Sequence, residues 1–302
     1  MSGALPGGGG EAAAWPYRLG CPVWSERRWV GEFYRSDARV EDFLAQYASV
    51  FGCVEGNSTF YGLPTAATVE RWTHEAPATL RFCFKVPRTL THERALQGGE
   101  AELAEFLDRL APLAQAGRLG PLLLQLPASF GPPALADLFE FLDRRLAGRA
   151  VVVEVRHAEF FAKGAAERAL NRGLHERGVD RVMMDTRALF STPPPDAAAA
   201  EAQRKKPRLP VHAVALGPRP CVRFVGHPQL ERNRGYLAPW VDKLAQWIGE
   251  GCEPWFFAHM ADNREAPALA RLFHRLLRER LPQLPALAPW PAQREPQQAG
   301  LF

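Results

Sequence analysis

Eight short apolar runs punctuate this chain at a nearly even spacing, and each is followed by a helical pattern or a loop. They are Tyr17–Cys21, Val50–Glu55, Leu80–Val86, Pro121–Leu126, Ala150–Arg156, Asp180–Asp185, Pro220–Val225 and Pro254–His259. Successive starts lie roughly 30 to 40 residues apart, the length of one strand–helix unit. Strands alternating with amphipathic helices predict a parallel sheet. Eight such units in about 250 residues predict one closed TIM (β/α)8 barrel. A doubly wound open sheet is the alternative. No Gly-x-Gly-x-x-Gly follows the first run, so a dinucleotide site is not indicated.

The segments between the runs carry helical spacing. Val40, Phe43, Leu44, Tyr47 and Val50 share one face, and Thr65 stands where a cap for the next helix belongs. Leu103, Phe106, Leu107 and Leu110 form a third stripe, and Leu135, Leu138, Phe139 and Leu142 a fourth. Two more helices are expected from Tyr236 to Ile248 and from Glu265 to Leu281. These stripes are core packing. One segment breaks the rhythm. Between Thr186 and Pro220 come Pro193-Pro194-Pro195, then Ala197 to Ala200, then Arg204-Lys205-Lys206-Pro207-Arg208. Proline density excludes a full crossover helix there, apart from a turn or two around Ala197 to Gln203. A loop of this length after strand six is expected to hang over the C-terminal face as a lid or mobile stretch, with Pro193 to Pro207 at its centre.

Composition narrows the class. The chain has 302 residues and 47% hydrophobic content, enough for a large core. Its 37 basic and 33 acidic residues give a formal charge of +4, too mild to demand nucleic acid. Cys21, Cys53, Cys83, Cys221 and Cys252 are dispersed with no C-x-x-C pair, which argues against a disulfide framework and a zinc knuckle. No apolar run approaches the ~20 residues of a membrane span. Residues 1–16 are expected to be a disordered glycine-rich tail without the features of a secretory signal. The barrel domain is expected over 17–281, and 282–302 as a Pro/Gln-rich strap or frayed end. A cytoplasmic location is the expectation.

Strand parity selects the side chains that face the barrel interior. In the fifth run Val151, Val153 and Val155 share the face that must pack under helices, so Glu154 and Arg156 point inward. The same argument sends Glu55 and Asn57 inward from strand two, Lys85 from strand three and Gln125 from strand four. Asp185, Arg223 and His259 follow from strands six, seven and eight, and Gly20 in strand one leaves room. Each polar residue stands near the C-terminal end of its strand, where barrels of this class build their sites. The expected mouth therefore holds three carboxylates, Glu55, Glu154 and Asp185, against three cations, Lys85, Arg156 and Arg223. Trp24 and Tyr61 follow strands one and two and are expected, with Asn57, at the rim.

Six ordered motifs carry a resemblance. They are Gly20-Cys21-Pro22-Val23-Trp24, Val54-Glu55-Gly56-Asn57-Ser58-Thr59-Phe60-Tyr61, Phe82-Cys83-Phe84-Lys85-Val86-Pro87-Arg88, Leu124-Gln125-Leu126-Pro127, Val153-Glu154-Val155-Arg156-His157 and Val222-Arg223-Phe224-Val225-Gly226-His227. Together they resemble the YecE-like family, domain of unknown function 72, from roughly Tyr17 to Leu277. The resemblance implies a TIM barrel and supports the pocket residues. It implies no reaction.

The charged mouth admits three functions. An enzyme acting on a small phosphate- or carboxylate-bearing metabolite would use Glu154 or Glu55 as general base, with Lys85 and Asp185 as further catalytic candidates. Arg223, Arg156, Asn57, Gln125, Tyr61, Trp24 and His259 would bind substrate. A desolvated Lys85 would also suit Schiff-base chemistry. Strands four and seven offer Gln125 and Arg223 where many barrel glycosidases place carboxylates, which counts against glycoside hydrolysis. The second function is a non-catalytic binder of a nucleotide or nucleic-acid end, using the Arg204–Arg208 run. The third is a structural barrel whose ions neutralise one another. No cofactor is implied. A metal held by His157, His227 or His259 with Glu154 and Asp185 is a minority option, because no H-x-x-x-H spacing supports it.

Overall fold

All eight expected strands form, and every strand pair is parallel. They are β1 (Arg18–Cys21), β2 (Cys53–Gly56), β3 (Arg81–Phe84), β4 (Leu122–Gln125), β5 (Val151–Glu154), β6 (Asp180–Asp185), β7 (Cys221–Val225) and β8 (Trp255–His259). The computed structural model describes residues 15–294. The stretch 1–14, most of the tail expected to be disordered, lies outside the described residues, as does 295–302. The strands pair in the order β3-β2-β1-β8-β7-β6-β5-β4. Bridges between Phe82 and Leu119 and between Lys85 and Leu123 join β3 to β4 and bring the barrel close to closure.

The helices are α1 (Phe43–Ala48), α2 (Ala66–Glu75), α3 (Glu100–Gln115), α4 (Leu135–Glu140), α5 (Ala165–Glu176), α6 (Ala197–Lys205), α7 (Arg234–Gly249) and α8 (Ala266–Arg280). Thr65 caps α2 by accepting a hydrogen bond from the Thr68 amide. The buried stripe of α3, Leu103, Phe106, Leu110 and Leu113, packs on the outer faces of the strands. Phe273 of α8 stacks on Phe256 of β8 at 3.7 Å between ring centroids. Alternation does the rest. Outward residues such as Leu19, Val54, Phe82, Leu124 and Val153 join the large helix-covered core. Inward residues Cys53, Cys83, Leu123, Val152, Val182, Cys221, Trp255 and Phe257 form a separate apolar layer inside the barrel.

The segment between β6 and β7 departs from the repeat. Asp196 caps α6 through the Ala199 amide at 2.7 Å, so nine residues are helical where only a turn or two was expected. The helix does not join the outer ring. Ala202 packs with Leu189, Phe190, Val225 at the end of β7 and Ala261 just past β8, which sets α6 over the C-terminal face. Residues 207–216 then run back without helix. His212 meets Glu167 of α5, the Leu216 carbonyl meets His175 of α5, and Val211 and Ala213 line a crevice with Trp240 and Lys243 of α7. This extended leg therefore fills the gap between α5 and α7 that a crossover helix would occupy. The Asp180 carboxylate fixes its end by accepting from the amides of Leu216, Gly217 and Arg219. After α8 the chain crosses back over the molecule: Leu284 is buried, and Trp290 lies edge-on to Phe33 and under Arg271.

Candidate active site at the barrel mouth

One residue pair above the apolar layer, the interior turns ionic. Arg223 of β7 is buried at the centre. Its Nε and Nη2 donate to the two oxygens of Glu55 on β2, at 2.8 and 2.7 Å, and its Nη1 donates to Glu154 of β5. This is a fork-on-carboxylate geometry with a second carboxylate on the remaining arm. Arg156 binds the other oxygen of Glu154, through Nε at 2.8 Å and Nη2 at 2.6 Å. His259 of β8 sits 3.2 Å from Glu55 through Nε2, and Lys85, just past β3, is 3.7 Å from Glu55 through Nζ. Thr59 pins that end of β3 by donating to the Lys85 carbonyl. Gln125 of β4 is in register with Glu154 and is 5% exposed, and its Oε1 has no hydrogen-bond partner.

The ionisation states follow from this packing. Burial pushes the Glu55 carboxyl up, but Arg223, His259 and Lys85 outweigh it and hold it well below the usual carboxylate range. Glu154 suffers the same burial and is brought to about 2 by Arg156, Arg223 and Lys85. The Arg223 guanidinium is likewise held charged. Burial and Arg223 lower Lys85 to about 8, with Glu55 and Glu154 opposing. His259 falls to about 4 through burial, so it is neutral at pH 7 and its Nε2 donates to Glu55.

A further cation enters from above. Lys206, at the C-terminal cap of α6, feels Arg223, Glu55, Lys85 and Glu154, and burial followed by Arg223 lowers it to about 8. It belongs to the Arg204–Arg208 run of the segment expected over the C-terminal face. Arg204 and Lys205 are exposed, and Lys205 pairs with Glu201 on the same helix, whereas Lys206 is half-buried among the charges of the mouth. The Thr186 hydroxyl donates to the Pro207 carbonyl at 2.9 Å, which ties the residue after Lys206 to the end of β6.

Several expected members stand elsewhere. Asp185 does not join the mouth. Its partner in register is Phe224, which faces the helices, while Met184 is in register with the inward Arg223. Asp185 accepts from the indole of Trp240 on α7 at 2.7 Å and from Arg187, so it ties the outer layer. The expected balance of three carboxylates and three cations is thereby replaced. Among the described residues, Lys85, Arg156 and Arg223 meet Glu55 and Glu154, and Lys206 adds a fourth cation without an ion pair. Gly20 does not leave room for a ligand, since an added Cβ would lie 1.9 Å from the Cys53 carbonyl oxygen. Trp24 packs edge-on to Trp72 and Phe82 in the outer layer, and Asn57 donates to the Pro22 carbonyl. Both line a crevice of about 270 Å³ that Glu55 also reaches. Tyr61 is 83% exposed and touches Phe60, whose ring lies 5.5 Å from the Lys85 amine. The proposed metal donors are dispersed: His157 accepts from the Glu159 amide and His227 from the Gln229 amide, each closing a local turn. Among the described residues no three His, Cys, Asp or Glu side chains converge as a metal group.

Residues 18–295 match the family described as Protein of unknown function DUF72. The chain belongs to this family. It is 43% identical over 284 residues to the UPF0759 protein YecE of Escherichia coli strain K12, covering 94% of this chain and 99% of that protein. The same identity and coverage hold for YecE of Escherichia coli O157:H7. Among solved structures, a DUF72 family protein from Thermotoga maritima MSB8 superposes with a TM-score of 0.65 at 19% identity, covering 86% of this chain and 98% of that one. A DUF72 family protein from Enterococcus faecalis V583 gives 0.60 at 19% identity, with 80% and 94% covered. At that identity the likeness speaks for the fold alone. It agrees with the barrel described above, and the family description carries no activity to transfer.

Proposed function

We propose that the barrel mouth binds a small phosphate- or carboxylate-bearing metabolite and is the site at which the protein acts on it. The observation that carries this reading is the charge surplus. Both carboxylates are already committed, Glu55 to Arg223 and Glu154 to Arg223 and Arg156, whereas Lys85 has only a long contact and Lys206 has no counter-ion. A buried excess of positive charge is costly unless an anion completes it. Gln125 adds an unmet polar group on the same floor.

The ionisation states favour other groups for acid–base work. A general base is most effective when its pKa lies near the operating pH. Glu55 and Glu154 are held far below neutrality, so they serve as fixed counter-ions. Lys85 and Lys206, both brought to about 8, are the groups able to exchange a proton there. Five cysteines without a disulfide fit a reducing, cytoplasmic compartment, and no described helix is long and apolar enough to cross a membrane.

A panel of inorganic phosphate, phosphorylated metabolites and small carboxylates, read by melting temperature, tests this. The parent protein should be stabilised by a subset of the panel, and the response should shrink as pH rises through about 8, where both lysines lose charge. Lys85→Met and Arg156→Met should lose it. A panel that shifts nothing, together with unfolding of both Arg223→Ala and Glu154→Gln, would leave a self-neutralising structural network as the better account.

A further inference from the structure

We propose that Lys206 is a nucleophilic amine, and that it condenses with the carbonyl carbon of a phosphate- or carboxylate-bearing aldehyde or ketone seated in the mouth. This rests on the anion-binding reading and names the substrate class for it.

Three observations converge on Lys206. The first is its lack of a partner. Arg223, Arg156 and Lys85 each face a carboxylate, but among the described residues the Lys206 amine makes no ion pair and no hydrogen bond. An amine engaged by a carboxylate keeps its proton and its lone pair is lost to chemistry; a solitary one is free to attack. The second is residue choice. This chain has five lysines, Lys85, Lys163, Lys205, Lys206 and Lys243, among 37 basic residues. Arginine thus supplies almost all its positive charge, yet two of the five lysines stand in the mouth. A guanidinium would hold an anion with better geometry but cannot give up its proton, whereas an amine can. The third is position. Lys206 comes from the element above the mouth, held by the Pro207 tie to Thr186 and by its own amide bonding to Ala202 at 2.9 Å. Lys85 and Arg156 lie on the strand ends beneath. An anion held by those two would leave the rest of the molecule facing upward, toward α6.

The surroundings favour the free amine. The charged groups around Lys206 are Arg223 from β7, Glu55 from β2, Lys85 beside β3 and Glu154 from β5. Burial acts first and Arg223 second, and at pH 7 the free-amine fraction rises on the order of a hundredfold over an ordinary lysine. The Lys206 nitrogen lone pair forms a bond to the carbonyl carbon, and the carbonyl π pair moves to oxygen. That oxygen is protonated, the nitrogen loses a proton, and the hydroxyl leaves as water when protonated again. In sum, one amine, one carbonyl and one proton give an iminium and water, with no oxidant or reductant. The ammonium of Lys85 is the mouth group able to supply the proton near neutrality.

Pyridoxal 5′-phosphate, an aldehyde carrying a phosphate, is the probe, with sodium borohydride to trap the iminium as a secondary amine. Peptide mapping of the full chain then distinguishes all five lysines. The expected result is labelling at Lys206, about tenfold faster than with pyridoxal, which lacks the phosphate, for a contact of ordinary strength. Inorganic phosphate should protect, and the rate should climb as pH approaches about 8. Lys206→Arg should lose that label, whereas Lys205→Arg on the exposed side of the same helix should keep it. Labelling only at the exposed Lys163 and Lys205, with phosphate still stabilising the protein, would overturn the amine role and leave the anion site standing. Labelling of Lys85 in place of Lys206 would overturn the assignment. Equal labelling of Lys206 by pyridoxal, with no effect of phosphate on labelling or melting, would support the amine and remove the anion site.

Discussion

Within the barrel, two neighbouring layers of the same strands have opposite chemistry. Moving two residues along six of the eight strands, Cys53 gives way to Glu55, Cys83 to Lys85, Leu123 to Gln125, Val152 to Glu154, Cys221 to Arg223 and Phe257 to His259. Both layers are buried. The lower one is held by apolar packing and can be altered only at the expense of volume. The upper one is held by ion pairs whose desolvation costs several kcal/mol per ion, a cost that apolar residues would avoid. Six strands make the change toward their C-terminal ends, beneath a helix that contributes one more cation. A fold seeking only stability would continue the lower layer upward. The contrast is what points to a site.

Substitutions in the two layers sharpen the contrast. The largest expected effect is Arg223→Ala, which removes the shared central partner of two buried carboxylates at once and should cost about 3–5 kcal/mol in chemical denaturation. A cost below about 1 kcal/mol would mean that water or other cations already satisfy Glu55 and Glu154, and the upper layer would not be the closed network described. Leu123→Ala in the lower layer should cost a comparable amount, about 2–5 kcal/mol, through a cavity. Unlike the arginine change, it should leave the stabilisation by phosphate unaltered. If it abolishes that response, the layers are not separable.

The next effect is a pH dependence that only the upper layer can show. The folded-state value of Glu154 is depressed to about 2, so its contribution is fully present above the unfolded carboxyl's ordinary 4.5 and is lost as pH falls from there through about 2. Stability of the parent measured across that window should decline more steeply than that of Glu154→Gln. Equal slopes would show that Glu154 is not the ionised partner of Arg156 and Arg223. The smallest effect concerns the residue that left the mouth. Asp185→Ala should cost about 1–3 kcal/mol, because the buried Trp240 indole loses its acceptor. The response to phosphate should persist. Its loss would return Asp185 to the site.

The barrel and most of its mouth were legible from the chain because both depend on local rules. Strand spacing predicts the barrel, and parity places Glu55, Lys85, Gln125, Glu154, Arg223 and His259 on the inner face wherever the outer face is plainly apolar. Parity failed at β6 for a visible reason. Arg181, Met183 and Asp185 share one face and Asp180, Val182 and Met184 the other, so each face mixes charge with apolar groups and alternation alone does not choose. Register chooses: Met184 lies beside Arg223, and Asp185 beside Phe224 under α7. Trp24 was misplaced for a related reason, since nothing local to strand one says that its ring packs edge-on against Trp72 and Phe82.

By itself, then, the sequence determined the eight parallel strands, the turn to polar residues at their C-terminal ends, and six of the seven strand ends it assigned to that layer, with β6 the exception. These follow from periods of two along a strand and from the burial demanded of its outer face. Tertiary structure alone decided that Arg223 takes both carboxylates, that Asp185 serves the outer layer, and that Lys206 arrives from a helix lying over the mouth. Those outcomes depend on residues distant along the chain meeting across the barrel. Their pairing is set by register, by the closure of the sheet and by an extended leg that fills the outer ring in place of a crossover helix.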